Sequence, residues 1–349
     1  MVVDADAAKN PMHEPNWLRA LSKYEQPNLR RAVWQLLNTF VPYFGLWALM
    51  IGMVRQGYPY WMTLILAVMT AALFMRVFIV FHDCCHGSFF ASRRANRILG
   101  YISGVLTFTP FEDWRHAHAS HHATTGDLDR RGIGDVWTLT VQEYSAAPRL
   151  KRLAYRFIRN RFVLLGLVPA GLSLITNRTP HKGAGKRERY SVLFTNVAIV
   201  AMLGVASVTI GIGTYLAIQL PVTIMAGTAG VWLFYVQHQY EGVYWARHRD
   251  WDPMRASLEG SSYYKLPKVL QWITGNIGLH HIHHFRPRIP NYNLQECLDG
   301  ESVFQAVEPL TIRRSLKSLG MNLWDEEAQA LVSFRSAKGR PELGTPRAR

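Results

Sequence analysis

The sequence predicts an all-α membrane protein: four transmembrane helices in two hairpins, with interfacial helices and a cytoplasmic, His-rich cap built around two metals. Three observations lead there. Near-continuous apolar runs at about 33–54, 60–81, 192–210 and 214–236 approach or exceed a ~30 Å hydrocarbon core at ~1.5 Å of rise per residue. Basic residues cluster beside these runs and are nearly absent from the turns at 55–59 and 209–213. The fourteen histidines concentrate in three short boxes. The bulk numbers mislead, since 49% apolar residues and a mean hydropathy of -0.02 suit a soluble protein only if two different materials are averaged. A net charge of +15, from 39 basic against 24 acidic residues, suits nucleic acid as well as an anionic membrane surface. With no nucleic-acid fold signature, the apolar runs decide for membrane, and Arg93-Arg94 and Lys186-Arg187 then meet anionic headgroups.

Taken in order, residues 1–31 are polar and acidic enough not to read as a secretory signal. The first span covers about 32–54, and Arg55-Gln56-Gly57-Tyr58-Pro59 turns tightly into the second, about 60–81. The long basic segment 82–190 belongs to the cytoplasmic cap. Two shorter apolar stretches inside it, Ile98–Thr109 and Phe162–Thr176, read as interfacial or re-entrant helices. A crossing by the first would separate two His boxes, and a crossing by the second would place Arg178, Lys182, Lys186, Arg187 and Arg189 outside. The third and fourth spans, about 192–210 and 214–236, turn through Gly211-Ile212-Gly213, and 239–335 completes the cap. Four crossings leave both termini cytoplasmic. The chain reads as one domain over 1–349, with a flexible tail from Ser336. Cys84, Cys85 and Cys297 have neither disulfide-framework nor zinc spacing and read as reduced thiols.

The boxes are His82-Asp83-Cys84-Cys85-His86, His118-Ala119-Ser120-His121-His122 and His280-His281-Ile282-His283-His284. On a helix, positions i and i+4 lie about 40° apart and i and i+3 about 60° apart. His82 with His86, His118 with His121 and His122, and His280 with His283 and His284 therefore each share a face. His116 falls about 160° from His118, and His281 about 100° from His280, so both lie off those faces. His238, where the fourth span ends, is a ninth candidate. A lone histidine is ordinarily a satisfied core or surface residue, but three such clusters on one side of a membrane point to shared metal. Eight or nine imidazoles exceed the needs of one tetrahedral ion and imply two. Ligand type alone leaves Fe, Zn, Cu and Ni open. Metal-bound imidazoles usually donate their other N–H to a carboxylate or carbonyl, which makes Asp83, Asp127, Asp129 and Asp135 their expected partners.

These boxes, with HDCCHGSFF from His82, HHATTGDLDRRGIGDVWTLTVQEY from His121 and NIGLHHIHHFRPRIPNYNL from Asn276, resemble the integral-membrane fatty acid desaturases, specifically the acyl-lipid omega-6 (delta-12) branch. The likeness covers roughly residues 30–310. It implies a non-haem di-iron centre ligated by the eight box histidines and His238, using O2 and two external electrons to desaturate an acyl chain on a membrane lipid. It also implies a multi-pass protein of a bacterial inner membrane with a cytoplasmic active site. Some relatives add a water-bridged asparagine one turn before the extra histidine. That position is Phe234 here, which leaves Asn276 as a substitute. No haem-binding HPGG segment is present, so the electron donor is a separate ferredoxin-like or cytochrome b5-like protein.

The chemistry is consistent with that resemblance. An unactivated methylene has no acidity and no leaving group, so its hydrogens must go to a strong metal-borne oxidant while the protein docks the chosen carbon. A membrane hydroxylase, carotenoid oxygenase or alkane monooxygenase would use the same cofactor. A metal transporter would carry its ligands inside the spans, whereas these boxes lie outside them.

Overall fold

The structure, a computed structural model, describes residues 16–338. Among them, four helices are long and apolar enough to cross a membrane: α1 (Leu29–Arg55), α2 (Tyr60–His86), α5 (Lys186–Thr209) and α6 (Ile212–His238). Between α2 and α5 lie α3 (Arg93–Leu106) and α4 (Phe111–Thr124), and beyond α6 lies the short α7 (His280–Phe285). Each span outruns the apolar run that predicts it. Nothing after Phe81 stops α2 until Gly87, whose φ of 67° closes the helix in the left-handed region. The second span therefore carries the first His box on its own last turn. In the same way α6 ends on His238.

The central post is α2: 61% of its apolar window is buried, against 17% for α1 and for α5. It packs against α1, α3 and α6. Asn28 starts α1 by accepting the Arg31 backbone N–H at 3.1 Å. At the opposite end of the bundle, Arg55 donates to the Thr209 carbonyl at 3.1 Å and Tyr60 to the Ala217 carbonyl at 2.8 Å, joining the two hairpins.

The Ile98–Thr109 stretch forms the second part of α3 as far as Leu106 and the turn that follows; α3 is capped by Ser92 and exposes Ile98 and Ile102. It folds back through Thr107–Pro110 onto α4. The approach is close: a Cβ at Gly100 would stand 2.2 Å from the Phe111 ring, and one at Gly104 would stand 2.6 Å from the Thr109 carbonyl oxygen. The Phe162–Thr176 stretch is not one straight helix. A π-helical turn at Val163–Leu167 leads into Val168–Leu174, and the segment Val163–Arg178 is bent by 68° from the helix Arg149–Ile158. It rests on α6, where Thr228 donates to the Leu165 carbonyl at 2.7 Å and Pro169 fills the space above Gly227.

Short strands that the sequence reading did not anticipate fasten the cap. Leu139–Thr140 pairs in parallel with Leu323–Asp325, which pairs antiparallel with Ala330–Val332. Tyr263–Lys265 pairs in parallel with Pro309–Thr311. All three cysteines are buried and unpaired. Of the predicted tail, Ser336–Lys338 close a short helix from Phe334, and 339–349 lie outside the described residues.

The α3–α4 contact has a measurable consequence. Gly104→Val should destabilise the protein by ~1–3 kcal/mol, the usual scale of overpacking, because its side chain meets backbone. Gly204→Val, with nothing within 4 Å, should change stability far less. Thermal unfolding in detergent would compare them.

Candidate metal centre

Four helices deliver nine imidazoles to one end of the bundle. His82 and His86 come from the last turn of α2, and His118, His121 and His122 from α4. His238 ends α6, and His280, His283 and His284 come from α7. They form two sets whose ring nitrogens lie within 4.8 Å of one another: His82, His86, His118, His122 and His283 in one, His121, His238, His280 and His284 in the other. Adjacent residues of α4 thus serve different sets, His121 the second and His122 the first.

Within the first set, the Nε2 atoms of His82 and His118 are 3.0 Å apart, those of His118 and His122 3.1 Å, and those of His122 and His283 3.0 Å. Within the second, His238 Nε2 lies 3.1 Å from His121 Nε2 and 3.0 Å from His280 Nε2. The outer nitrogens explain what these contacts are. His238 Nδ1 faces the Gly260 carbonyl at 3.1 Å, and His121 Nδ1 faces Asp135 at 2.5 Å. A carbonyl and a carboxylate only accept, so both Nδ1 atoms carry the proton. The two Nε2 atoms then present lone pairs to each other across 3.1 Å, which is a contact for a shared cation and not a hydrogen bond. Neighbouring nitrogen ligands of one ion at ~2.1 Å stand ~3.0–3.4 Å apart, so the donor sets fit metal. Buried His86 Nε2 and His284 Nε2 also lack hydrogen-bond partners among the described residues. Burial, reinforced by neighbouring imidazoles, holds His118, His122, His280, His283 and His284 well below the ordinary histidine pKa. They are kept neutral, the form that binds metal.

Two of the four expected aspartates reach these rings. Asp83 stands 3.1 Å from His82 Nδ1. Its other oxygen accepts both the backbone and side-chain N–H of Asn291, at 2.7 and 2.8 Å. Asp135 holds His121 and accepts the Gly132 backbone N–H at 3.1 Å. Gly134, at φ 74°, lets this loop lie against α4, since a Cβ there would stand 2.8 Å from the Ala117 carbonyl oxygen. Asp127 and Asp129 instead take His248 Nδ1 at 2.7 Å and Arg247 at 2.7 Å. They tie the loop to the segment after α6 and touch no histidine of either set. Asn276 also stays off the metal sets: its amide donates to the Asn291 carbonyl at 3.0 Å. The Phe234 ring sits 5.2 Å from that of His121 and 5.3 Å from that of His238, putting apolar surface where a further ligand would stand.

His116 and His281 lie outside both sets. His116 stacks on His181 at 4.6 Å, and His281 is fully buried beside Tyr263 and Phe304, where burial pushes its pKa down to about 3. Sequence reasoning missed Asn291 and the Gly260 carbonyl. It also missed Trp114, stacked on His118 at 4.2 Å and legible only as one turn before the second box.

The fatty acid desaturase family model matches residues 58–302, most of the chain and all nine histidines. The chain belongs to the fatty acid desaturase family. A fatty acid desaturase of Bacillus subtilis (strain 168) is 46% identical over 93% of this chain and 91% of its own length. An sn-1 oleoyl-lipid 12-desaturase of Synechocystis sp. is 26% identical over 70% of this chain and 71% of its own. An sn-1 acyl-lipid omega-3 desaturase (ferredoxin) of Nostoc sp. is 26% identical over 69% of each. This desaturase is therefore an enzyme of lipid metabolism, and the resemblance carried by its His boxes holds.

The imidazole supports make distinct predictions for metal content. Asp135→Asn should lower metal affinity ~10- to 100-fold, the usual effect of losing a carboxylate behind a ligand histidine, while Asp129→Asn should not. His121→Gln and His122→Gln should each deplete metal, and His116→Gln and His281→Gln should retain it. Metal per chain and membrane yield, measured together, separate ligand loss from misfolding.

Proposed function

We propose that this desaturase inserts a cis double bond into an acyl chain of a membrane lipid at the delta-12/omega-6 position, with two iron ions held by the nine histidines. The observation that carries the proposal is the pair of imidazole sets sharing α4, at the end of an apolar bundle. His82, His86, His118, His122 and His283 hold one ion, and His121, His238, His280 and His284 the other. When bound, the ions supply the oxidising power that an unactivated methylene pair requires. In balance, two C–H bonds are lost and a C=C bond forms, while O2 takes up those two hydrogens, two external electrons and two protons to leave as two waters.

The chain's own work is positional. Asp83, Asp135 and the Gly260 carbonyl fix three ring orientations before metal arrives. Phe234 and Trp114 line the imidazoles with apolar surface that limits water. The spans provide the apolar surroundings in which an acyl chain can lie, and its placement sets the bond oxidised. The basic segments beside the spans support a multi-pass protein of a bacterial inner membrane with its cap and both termini on the cytoplasmic side. The chain works as a single domain, and its electrons come from a separate ferredoxin-like or cytochrome b5-like donor. Ferredoxin stands in the name of the Nostoc relative.

Purified enzyme from iron-replete cells should contain two irons per chain, with O2-dependent turnover in the same sample. One tight zinc with full activity would overturn the di-iron reading. A host supplied with oleate and expressing this chain should accumulate linoleate, detected by gas chromatography with double-bond location. Monoenes made only from saturated chains would move the regiochemistry, and dominant hydroxy acids would replace desaturation by hydroxylation.

A further inference from the structure

A cleft of about 610 Å³ opens beside the bundle at the end where the histidines gather, between α1, α2 and the segment around Lys268–Ile273. Its wall includes Arg76, Arg31, Lys268 and Gln35, with Trp34 and Trp272 at the rim, and among the described residues no carboxylate lines it. We propose that this cleft seats the anionic phosphodiester of a glycerophospholipid whose acyl chain is the substrate. The inference rests on the acyl-lipid reading above and narrows it to phospholipids.

Arg76 carries most of the weight. It is 4% exposed. Its Nε donates to Thr39 Oγ1 at 3.1 Å, one terminal nitrogen donates to Asn38 Oδ1 at 3.1 Å, the other meets the Trp272 carbonyl, and the Trp272 ring lies 4.0 Å from the guanidinium carbon. All these partners are neutral. Among the described residues no carboxylate comes within 4.0 Å of Arg76 or Lys268, whereas Arg31 is matched by Glu296 at 2.7 Å. Removing one partner of a buried charge pair is strongly destabilising, so a guanidinium this enclosed calls for an anion. A second observation points into the same space. Gln35, also 4% exposed, has a buried Nε2 with no acceptor among the described residues. A phosphodiester supplies both the charge and the missing acceptor.

The surroundings suit a lipid more than a free ion. Trp34 is 66% exposed and Trp272 44%, an aromatic rim of the kind found at the membrane–water interface, and Val269 beside it is also exposed. Arg76 precedes His82 by six residues on α2, a rise of ~9 Å. Asn291 lines the cleft and also binds the Asp83 that holds His82. A headgroup seated here therefore shares α2 and Asn291 with the first metal set, within reach of an acyl chain that runs from it.

The test uses the metal-loaded full chain in detergent, with tryptophan fluorescence titrated by dioctanoyl-phosphatidylglycerol, dioctanoylglycerol or inorganic phosphate. The phospholipid should bind at least about tenfold more tightly than the neutral diglyceride, on the scale of one charge-assisted hydrogen bond. Arg76→Gln should erase that preference without changing diglyceride affinity, and Arg76→Lys should restore part of it. Gln35→Glu, which puts a carboxylate into the cleft, and Lys268→Gln, at an exposed position, test the same seat should Arg76→Gln fail to fold. Equal binding of the two lipids, or folded Gln35→Glu and Lys268→Gln proteins with wild-type preference, would overturn the proposal. Inorganic phosphate binding as tightly as the phospholipid would make this a free-anion site and overturn the headgroup assignment. Product analysis in proteoliposomes separates the two readings. New double bonds with headgroup-indifferent binding sink the seat alone, and headgroup-selective binding without new double bonds sinks desaturation alone.

Discussion

The opposition of lone pairs between His121 and His238, across 3.1 Å, is the contact on which the rest of the fold depends. Each ring has spent its only proton outward, on Asp135 and on the Gly260 carbonyl. No donor among the described residues satisfies the inward nitrogens, so the interior of the cap is a donor set that fits cations. Neutral imidazoles make this arrangement affordable before metal is bound. Nine charged groups at these separations would expel one another, whereas neutral rings repel only as dipoles and pack as flat, half-apolar plates.

Holding such rings requires helices that do not stop at the edge of the membrane. The last turn of α2 and the final residue of α6 carry ligands because both helices continue past their apolar runs. The third box arrives from about 200 residues away and is fixed to the first through Asn291 and Asp83. The cap closes by similar long-range fastenings. Tyr155 donates to the Asn322 carbonyl, and buried Arg159 donates to Gln239, next to His238, at 2.8 Å. A strand of two residues has little stability alone, and the parallel pairing of Leu139–Thr140 with Leu323–Trp324 persists because both segments are already buried.

The spans and boxes were legible in the sequence because both depend on spacing along one chain. Apolar runs of membrane length announce helices whatever surrounds them, and i, i+3, i+4 histidines share a face wherever the helix lies. What spacing cannot give is approach between segments. Asp127, Asp129 and Asp135 sit in one loop with the same chemistry, and only the path of the backbone, through Gly134 against Ala117, decides that Asp135 meets a ring. Asn291 gave no pattern signal, since its role arises from two donors meeting Asp83 across 208 residues. The break at Val163–Leu167 was hidden for a related reason: its Leu165 carbonyl is taken by Thr228 of α6, a contact between segments. The strands of the cap are too short for any alternation to show.

The two imidazole sets are unequal, and α4 is what relates them. His121 and His122 are neighbours in sequence, about 100° apart around one helix, so their separation is fixed by helical geometry and not by the surrounding cap. A tilt of α4 would move a ligand of each set at once. The orientation of α4 is set in turn by Phe111 lying over Gly100 and by the turn pressed against Gly104. It is also set by the packing of Phe81 against Phe111 and Trp114. Two glycines of the α3–α4 hairpin therefore bear on both imidazole sets without touching them. The packing that seats α3 and α4 on the central span is the same packing that spaces the two imidazole sets, so their separation is decided at the foot of α4 and only read out at its histidines.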